Sequence, residues 1–237
     1  MKIPFYDQLI DLTPRYGVMQ AWVYETIVAP SVFATRAFLD DAFLRFLPRG
    51  GRVLDVGAGG GKLTLYVAEQ RPDLTVTGHD LSPQQVARGR RAAAKLGDRV
   101  SFVEGSALAL PFAEAAFDGV LCCGSIKHWP DRSRGVAECV RVLAPGGRLL
   151  LTEADRSCTH EDASAFVAEW PVPAPLEPVF LALFRTWVCG QSIDLDDARR
   201  FAAEVGLARA EVGRVPRAPL VMLSGFRAGG PSATTST

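Results

Sequence analysis

The sequence predicts an α/β protein, a mostly parallel sheet covered on both faces by helices. Three observations carry this. Between residues 52 and 154, short apolar runs alternate with helix-period segments, a pattern that requires crossover connections. The first apolar run ends in a burst of glycines, "RVLDVGAGGGK", where a helical pattern starts. Two further apolar runs close the chain, with no long helix between them.

Taken in order, residues 1 to 47 carry aromatics at helix-like spacing and read as two or three helices, a lid ahead of the sheet, ended by "LPRGG" at 47 to 51. "RVLDVG" is a buried strand, and "GKLTLYVAEQR" is a helix with Leu63, Val67 and possible partners Leu65 and Ala68 inward. "LTVTGHD" is the second strand. "SPQQVARGRRAAAKLG" follows as a helix, with Ser82 as N-cap, Pro83 at its first position and Gly97 as its stop. "VSFVEG" and "FDGVLCCG" are strands, "RSRGVAECVRVLA" is a helix closed by "PGG", and "RLLLTEA" is the fifth strand. Residues 156 to 193 break the pattern. They are long, proline-punctuated and apolar in patches, and read as a helical insertion packed near a site. "DLDDARRFAAEVG" is a helix capped by Asp194. "LARAEVGRV" and "PLVMLSGFRA" are closing strands, read as an antiparallel pair, and 229 to 237 read as a disordered tail. A single domain over 1 to 228 is expected, with a core at 50 to 155.

Composition narrows the function classes. Apolar residues make up 48% and charged residues 22%, as in a soluble globular protein. The formal net charge is zero, without the basic footprint of a nucleic-acid or acidic-membrane binder. No uninterrupted apolar segment is long enough to span a bilayer, and "MKIPFYDQLIDLTPRYG" lacks the apolar stretch of a signal peptide, so a cytoplasmic location is expected. Five cysteines without a CxxC read as reduced thiols, and three histidines argue against a metal cluster. A small-molecule partner fits this balance. The arginine and alanine bias points to a GC-rich, bacterial genome, and the oligomeric state is left open.

Three ligands compete for the glycines. A phosphate loop, GxxxxGK[ST], is excluded because Val56 stands at its first glycine and Leu63 at its hydroxyl position. A dinucleotide fingerprint, GxGxxG, fits Gly57 and Gly59 but meets Lys62 at its third glycine. The third pattern is GxGxG, formed by Gly57, Gly59 and Gly61, with Asp55 at the strand end before it and Asp80 at the end of the next strand.

With "VLDVGAGGG", "VTGHDLSPQQVARGRR", "FVEGSALALPFAEAAFDGVLCCGSIKHWPD" and "RVLAPGGRLLLTEA", the sequence resembles the class I S-adenosylmethionine (SAM)-dependent methyltransferases over about residues 50 to 155. The resemblance implies a Rossmann-like, seven-stranded sheet with its last strand antiparallel, and SAM as cofactor. It places Asp55 by the methionine portion and the glycines under the ligand. Asp80 and Leu81 fall at the ribose, Ser106 and Ala107 at the adenine, and Cys123, Gly124 and Ser125 along the methionine arm and methyl. Where many relatives carry Asp, this chain has Ser106, a weaker acceptor for the adenine amino group.

The residue types agree with that chemistry. Close passage under an adenosine needs residues without Cβ, and ribose hydroxyls need an acceptor such as Asp80. SAM has no phosphate, so no phosphate-cradling lysine is required. In an open parallel sheet, ligands lie beyond the carboxyl ends of the strands, here over "CCGSIKHWPD". His128 is the candidate base for a hydroxyl acceptor, or else packs with Trp129. Lys127 is either a solvated charge or a contact to an acidic substrate. Glu153 holds a substrate amine or hydroxyl, or caps a turn. Tyr6, Tyr16 and Trp22 ahead of the core, and Trp170, Phe184 and Trp187 in the insertion, are candidates for an apolar lid over a small organic acceptor. The expected reaction is methyl transfer to a small, largely apolar metabolite, such as a secondary metabolite or quinone-like ring. The alternatives are a SAM-fold binding protein or partner subunit without methyl transfer, and a SAM-fold enzyme of non-methyl chemistry.

Overall fold

In a computed structural model of the 237-residue chain, the structure describes residues 36–215 and 218–229. A short helix α1 (Arg36–Ala42) and a 3-10 turn at Leu44–Phe46 lead into β1 (Arg52–Val56). The alternation then runs α2 (Lys62–Gln70), β2 (Thr75–Asp80), α3 (Pro83–Ala93), β3 (Val100–Glu104), β4 (Phe117–Cys123), α4 (Arg132–Val142) and β5 (Leu143–Ala154). The insertion contributes α5 (His160–Ala168), α6 (Glu177–Leu183) and a π-helical turn, Phe184–Cys189. The chain returns through α7 (Leu195–Glu204), β6 (Ala208–Arg214) and β7 (Leu220–Phe226).

The seven strands form one sheet in the order β3-β2-β1-β4-β5-β7-β6. β1 to β5 pair in parallel, while β7 runs antiparallel between β5 and β6. The sequence anticipates this architecture, including the antiparallel closing pair. The chain steps outward from β1 to β3 and then returns to lay β4 on the other side of β1. The carboxyl ends of β1 and β4 therefore open a crevice where the winding reverses.

Period-2 alternation explains why these strands are buried on both faces. Leu54, Val120, Leu149 and Leu151 enter one apolar cluster with Val136 and Phe201, whereas Val53, Leu121 and Leu150 enter another with Phe43, Val67 and Val86. Helix ends follow their caps. Ser82 Oγ accepts from Gln85 N–H with Pro83 at the first turn, and Asp194 forms a reciprocal capping box with Asp197. α3 ends at Ala93, earlier than its sequence pattern suggests, because the chain tightens to a 3-10 turn before Gly97 at φ 62°. The inward face of α2 is Thr64, Val67 and Ala68, so Thr64 is buried while Leu63 is only half-buried.

The insertion is pinned at both ends. Asp155 bridges in parallel to Ile193, Arg156 N–H donates to the Ile193 carbonyl at 2.8 Å, and the Arg156 guanidinium pairs with Asp194 and Asp197. Arg214 Nε reaches the fully buried Asp155 carboxylate at 2.6 Å. Its interior is a third cluster, in which Phe166, Trp170, Phe180 and Phe184 pack edge-on or tilted with ring centroids 5.4 to 6.4 Å apart. Phe38 of α1 and Met222 of β7 rest against it.

Candidate active site

Asp55 lies at the carboxyl end of β1 and turns toward α2. It is 2% exposed and accepts from Thr64 Oγ1 at 2.7 Å. Burial pushes its carboxyl up to about 7; the Thr64 hydrogen bond opposes this and the nearby Asp80 carboxylate adds to it. Through that bond Thr64 joins the candidate site, a place the sequence analysis does not give it. The signal was present, since Thr64 stands three and four residues before Val67 and Ala68 on one helical face.

The glycine loop joins β1 to α2. Gly57 has φ 76°, and a Cβ there would lie 2.1 Å from Ser125 Oγ, so the loop after β4 closes directly upon it. Gly61 is covered in the same way by the Phe102 ring. Gly59 differs: at φ 53° it has nothing within 4 Å of where a Cβ would stand, so the middle of the loop faces open space.

Asp80 ends β2 with both carboxylate oxygens on the backbone. Oδ2 accepts from Gly59 N–H at 2.8 Å and Oδ1 from Ser82 N–H at 2.9 Å. Burial raises its pKa, and these backbone donors oppose the rise. Each oxygen keeps acceptor capacity for a further donor. Beside it Leu81 is 53% exposed, an apolar surface next to a carboxylate, which suits a nucleoside with sugar hydroxyls. His79 behind it is buried, stacks edge-on to Phe112 at 6.1 Å and is pushed down to about 4 by burial.

Beyond β3, Ser106 and Ala107 are half-buried, and Ser106 Oγ accepts from Leu108 N–H at 3.2 Å. One lone pair of that hydroxyl is thus already used in its own turn. Beyond β4, Gly124 at φ 73° donates to the Thr152 carbonyl at 2.8 Å and then turns the chain. Burial pushes the Cys123 thiol up to about 12, so it stays protonated. Ser125 Oγ accepts from Trp129 Nε1 at 3.1 Å, and His128 N–H donates to the Ser125 carbonyl. Burial first, and the Lys127 cation second, push the His128 imidazole down to about 4, with Glu153 pulling the other way.

Several expected substrate residues sit differently from an open lid. Lys127 is neither solvated nor free for an acidic substrate: its ammonium pairs with Glu153 at 3.1 Å. Glu153 is 1% exposed and caps the turn, accepting from Lys127 N–H and Ala154 N–H, so it presents no carboxylate to a substrate. Trp170 and Phe184 form the interior of the insertion because their rings find one another there. Trp187 is half-buried. Tyr6, Tyr16 and Trp22 lie outside the described residues. Between α5 and α6 the insertion leaves a groove of about 730 Å³, walled by Val167, Pro178, Leu181 and Ala182 with His160 and Arg185 alongside.

A glycine loop roofed from the neighbouring strand, with one carboxylate buried at β1 and another half-buried at β2, is the arrangement to set beside known proteins. The methyltransferase-domain family matches residues 54–151. Residues 54–151 of this chain are a methyltransferase domain. The chain is 42% identical over 143 residues to the demethylmenaquinone methyltransferase of Thermus thermophilus, covering 60% of this chain and 62% of that one. It is 40% identical over 117 residues to the 27-O-demethylrifamycin SV methyltransferase of Amycolatopsis mediterranei, covering 48% and 43%. The methyltransferase fold is shared with a SAM-dependent methyltransferase from Aquifex aeolicus, at a TM-score of 0.65 and 15% identity over 90% of this chain and 100% of that one. The chain thus spans less than two thirds of the length of both curated relatives.

Proposed function

We propose that this chain transfers the methyl group of SAM to a small, largely apolar acceptor, of the quinone-like or secondary-metabolite kind. The observation that carries the reading is the crevice between β1 and β4, where Gly59 is open and Asp80 and Leu81 stand side by side. The names of the two curated relatives support the acceptor class. The groove in the insertion has the volume of a pocket for such a molecule.

SAM supplies an electrophilic methyl on a sulfonium. The chain's own residues then bind, align and exclude water. Asp80 accepts the ribose hydroxyls, Leu81 covers an apolar face, and Ser106 and Ala107 border the adenine. The glycines let the backbone approach, Asp55 offers negative charge to the cationic methionine end, and Cys123, Gly124 and Ser125 flank the arm that bears the methyl. In-line displacement needs the acceptor held near the methyl, and this alignment is the larger part of the catalysis. Labelled SAM incubated with the protein and a reduced, prenylated naphthoquinone, or with an extract of apolar metabolites, tests the proposal. Label in an acceptor supports it. SAM binding without transfer to any acceptor favours a binding or non-methyl role, and no SAM binding at high micromolar concentration ends it.

A carboxyl raised to about 7 in the folded protein binds a proton that the unfolded chain has already released between about pH 4 and 7. Asp55 therefore lowers stability as pH rises through that window, and the loss levels off above it. Binding of a cation runs the opposite way, because the carboxylate must ionise first. SAM affinity should rise about tenfold between pH 6 and pH 8. Calorimetry across that range should show the rise, and Asp55→Asn should flatten it and raise the melting temperature at pH 8. A slope that persists in Asp55→Asn assigns the titration elsewhere.

His128 is neutral at every pH above about 5 by the same bookkeeping, because its pKa is pushed down to about 4. An imidazole with so low a pKa is a weak base. The rate should therefore stay flat from pH 6 to 9 as far as His128 is concerned, and His128→Asn should keep most activity. Complete loss of turnover with intact SAM and acceptor binding would restore His128 as the base.

A further inference from the structure

The loop after β4 is held from behind by a buried ion pair. Lys127 Nζ donates to Glu153 Oε1 at 3.1 Å and to the Gly124 carbonyl oxygen at 2.6 Å. Glu153 Oε2 accepts from the backbone N–H of Lys127 at 3.1 Å, and Oε1 also accepts from Ala154 N–H at 2.9 Å. The Lys127 side chain is 11% exposed and that of Glu153 1%. Burying two charges is costly, and apolar side chains would brace the end of β5 as well or better. The pair does something an apolar brace does not. It grips one carbonyl, and a trans peptide then sends the Ser125 N–H to the opposite side. Ser125 is the residue that closes over Gly57, and its hydroxyl is tied to Trp129. One contact thereby sets the roof of the glycine loop.

We propose that Lys127 and Glu153 form a positioning unit for the methyl-bearing end of the cofactor, fixing the Gly124–Ser125 peptide and presenting no net charge to it. The inference rests on the SAM reading above. Neutrality matters because an uncompensated ammonium in a partly dry site repels a sulfonium and spares the neutral thioether of the demethylated product.

The test uses the full chain as Glu153→Gln, Lys127→Met and the double variant. Calorimetry is run with SAM and with S-adenosylhomocysteine, alongside melting temperature and amide exchange over residues 124–129. Glu153→Gln should weaken SAM about tenfold more than S-adenosylhomocysteine. The single variants leave a buried charge or a cut network and should melt early. The double variant carries no charge and should melt near the wild type. It should keep the wild-type SAM-to-product preference, bind both ligands several-fold more weakly, and exchange faster over 124–129. A double variant with wild-type affinity for both ligands overturns the proposal, as do equal losses for the two ligands in Glu153→Gln. Should the unmodified protein bind neither ligand, the SAM reading fails by itself. Unchanged exchange over 124–129 in the double variant would then show that the pair does not position the loop.

Discussion

Gly57→Ala is expected to destabilise the fold by about 2–5 kcal/mol and to abolish the SAM isotherm at micromolar concentrations. The new Cβ would meet Ser125 Oγ at 2.1 Å and Ser125 Cβ at 2.3 Å, with the backbone at φ 76°. The left-handed conformation costs a residue with a Cβ about 1–2 kcal/mol, and overpacking a closed contact about 1–3 kcal/mol more. The two causes separate in a second variant. Ser125→Gly added to Gly57→Ala removes the clash and leaves the backbone cost, so thermal melting should recover the larger part of the loss. A Gly57→Ala protein with wild-type melting and SAM binding would show that the loop after β4 does not close on the glycines.

Asp80→Ala should weaken SAM by roughly 1.5–3 kcal/mol, about ten- to hundredfold, because the ribose loses a charged acceptor in a sheltered place. Its place at a strand end suggests that the fold would barely notice the change. The hydrogen bonds give another answer, since the carboxylate also holds Gly59 N–H at 2.8 Å and Ser82 N–H at 2.9 Å. Loss of these should cost stability as well, about 1.5–3 kcal/mol on the scale of bonds to a charged group. Asp80→Asn keeps one carbonyl oxygen and should fall between the two in both measurements. Calorimetry with SAM beside a melting curve for each variant checks this. Normal SAM binding by Asp80→Ala would place the cofactor elsewhere.

The strands and most helices are legible in the sequence because their signals are local. Period-2 and period-3.6 patterns, Ser82 with Pro83, and Asp194 before an apolar face each need only a few neighbouring residues. Asp55, the glycines and Asp80 are legible for the same reason, as each stands at a strand end where a parallel sheet offers its ligands a crevice. Thr64 escaped because Leu63 outranks it in hydrophobicity, while the rotation of α2 is set by Val67 and Ala68 against the sheet. Lys127 and Glu153 are each legible as candidates, and Glu153 as a turn cap, but their pairing is not. Their partnership spans 26 residues of chain and exists only once β4 and β5 lie side by side.

By itself, the sequence determined the α/β class, the order of strands and helices along the chain and the GxGxG turn between two acidic strand ends. All of these follow from periodicity and turn chemistry within short windows. Only the tertiary structure decided which side chains are occupied by one another. It put Ser125 over Gly57, turned Trp170 and Phe184 into the interior of the insertion, and neutralised Lys127 with Glu153. The physical reason is that burial and charge compensation are properties of pairs brought together by packing. A lone residue's identity states what it can donate, accept or bury, and the fold states whether a neighbour has already taken it.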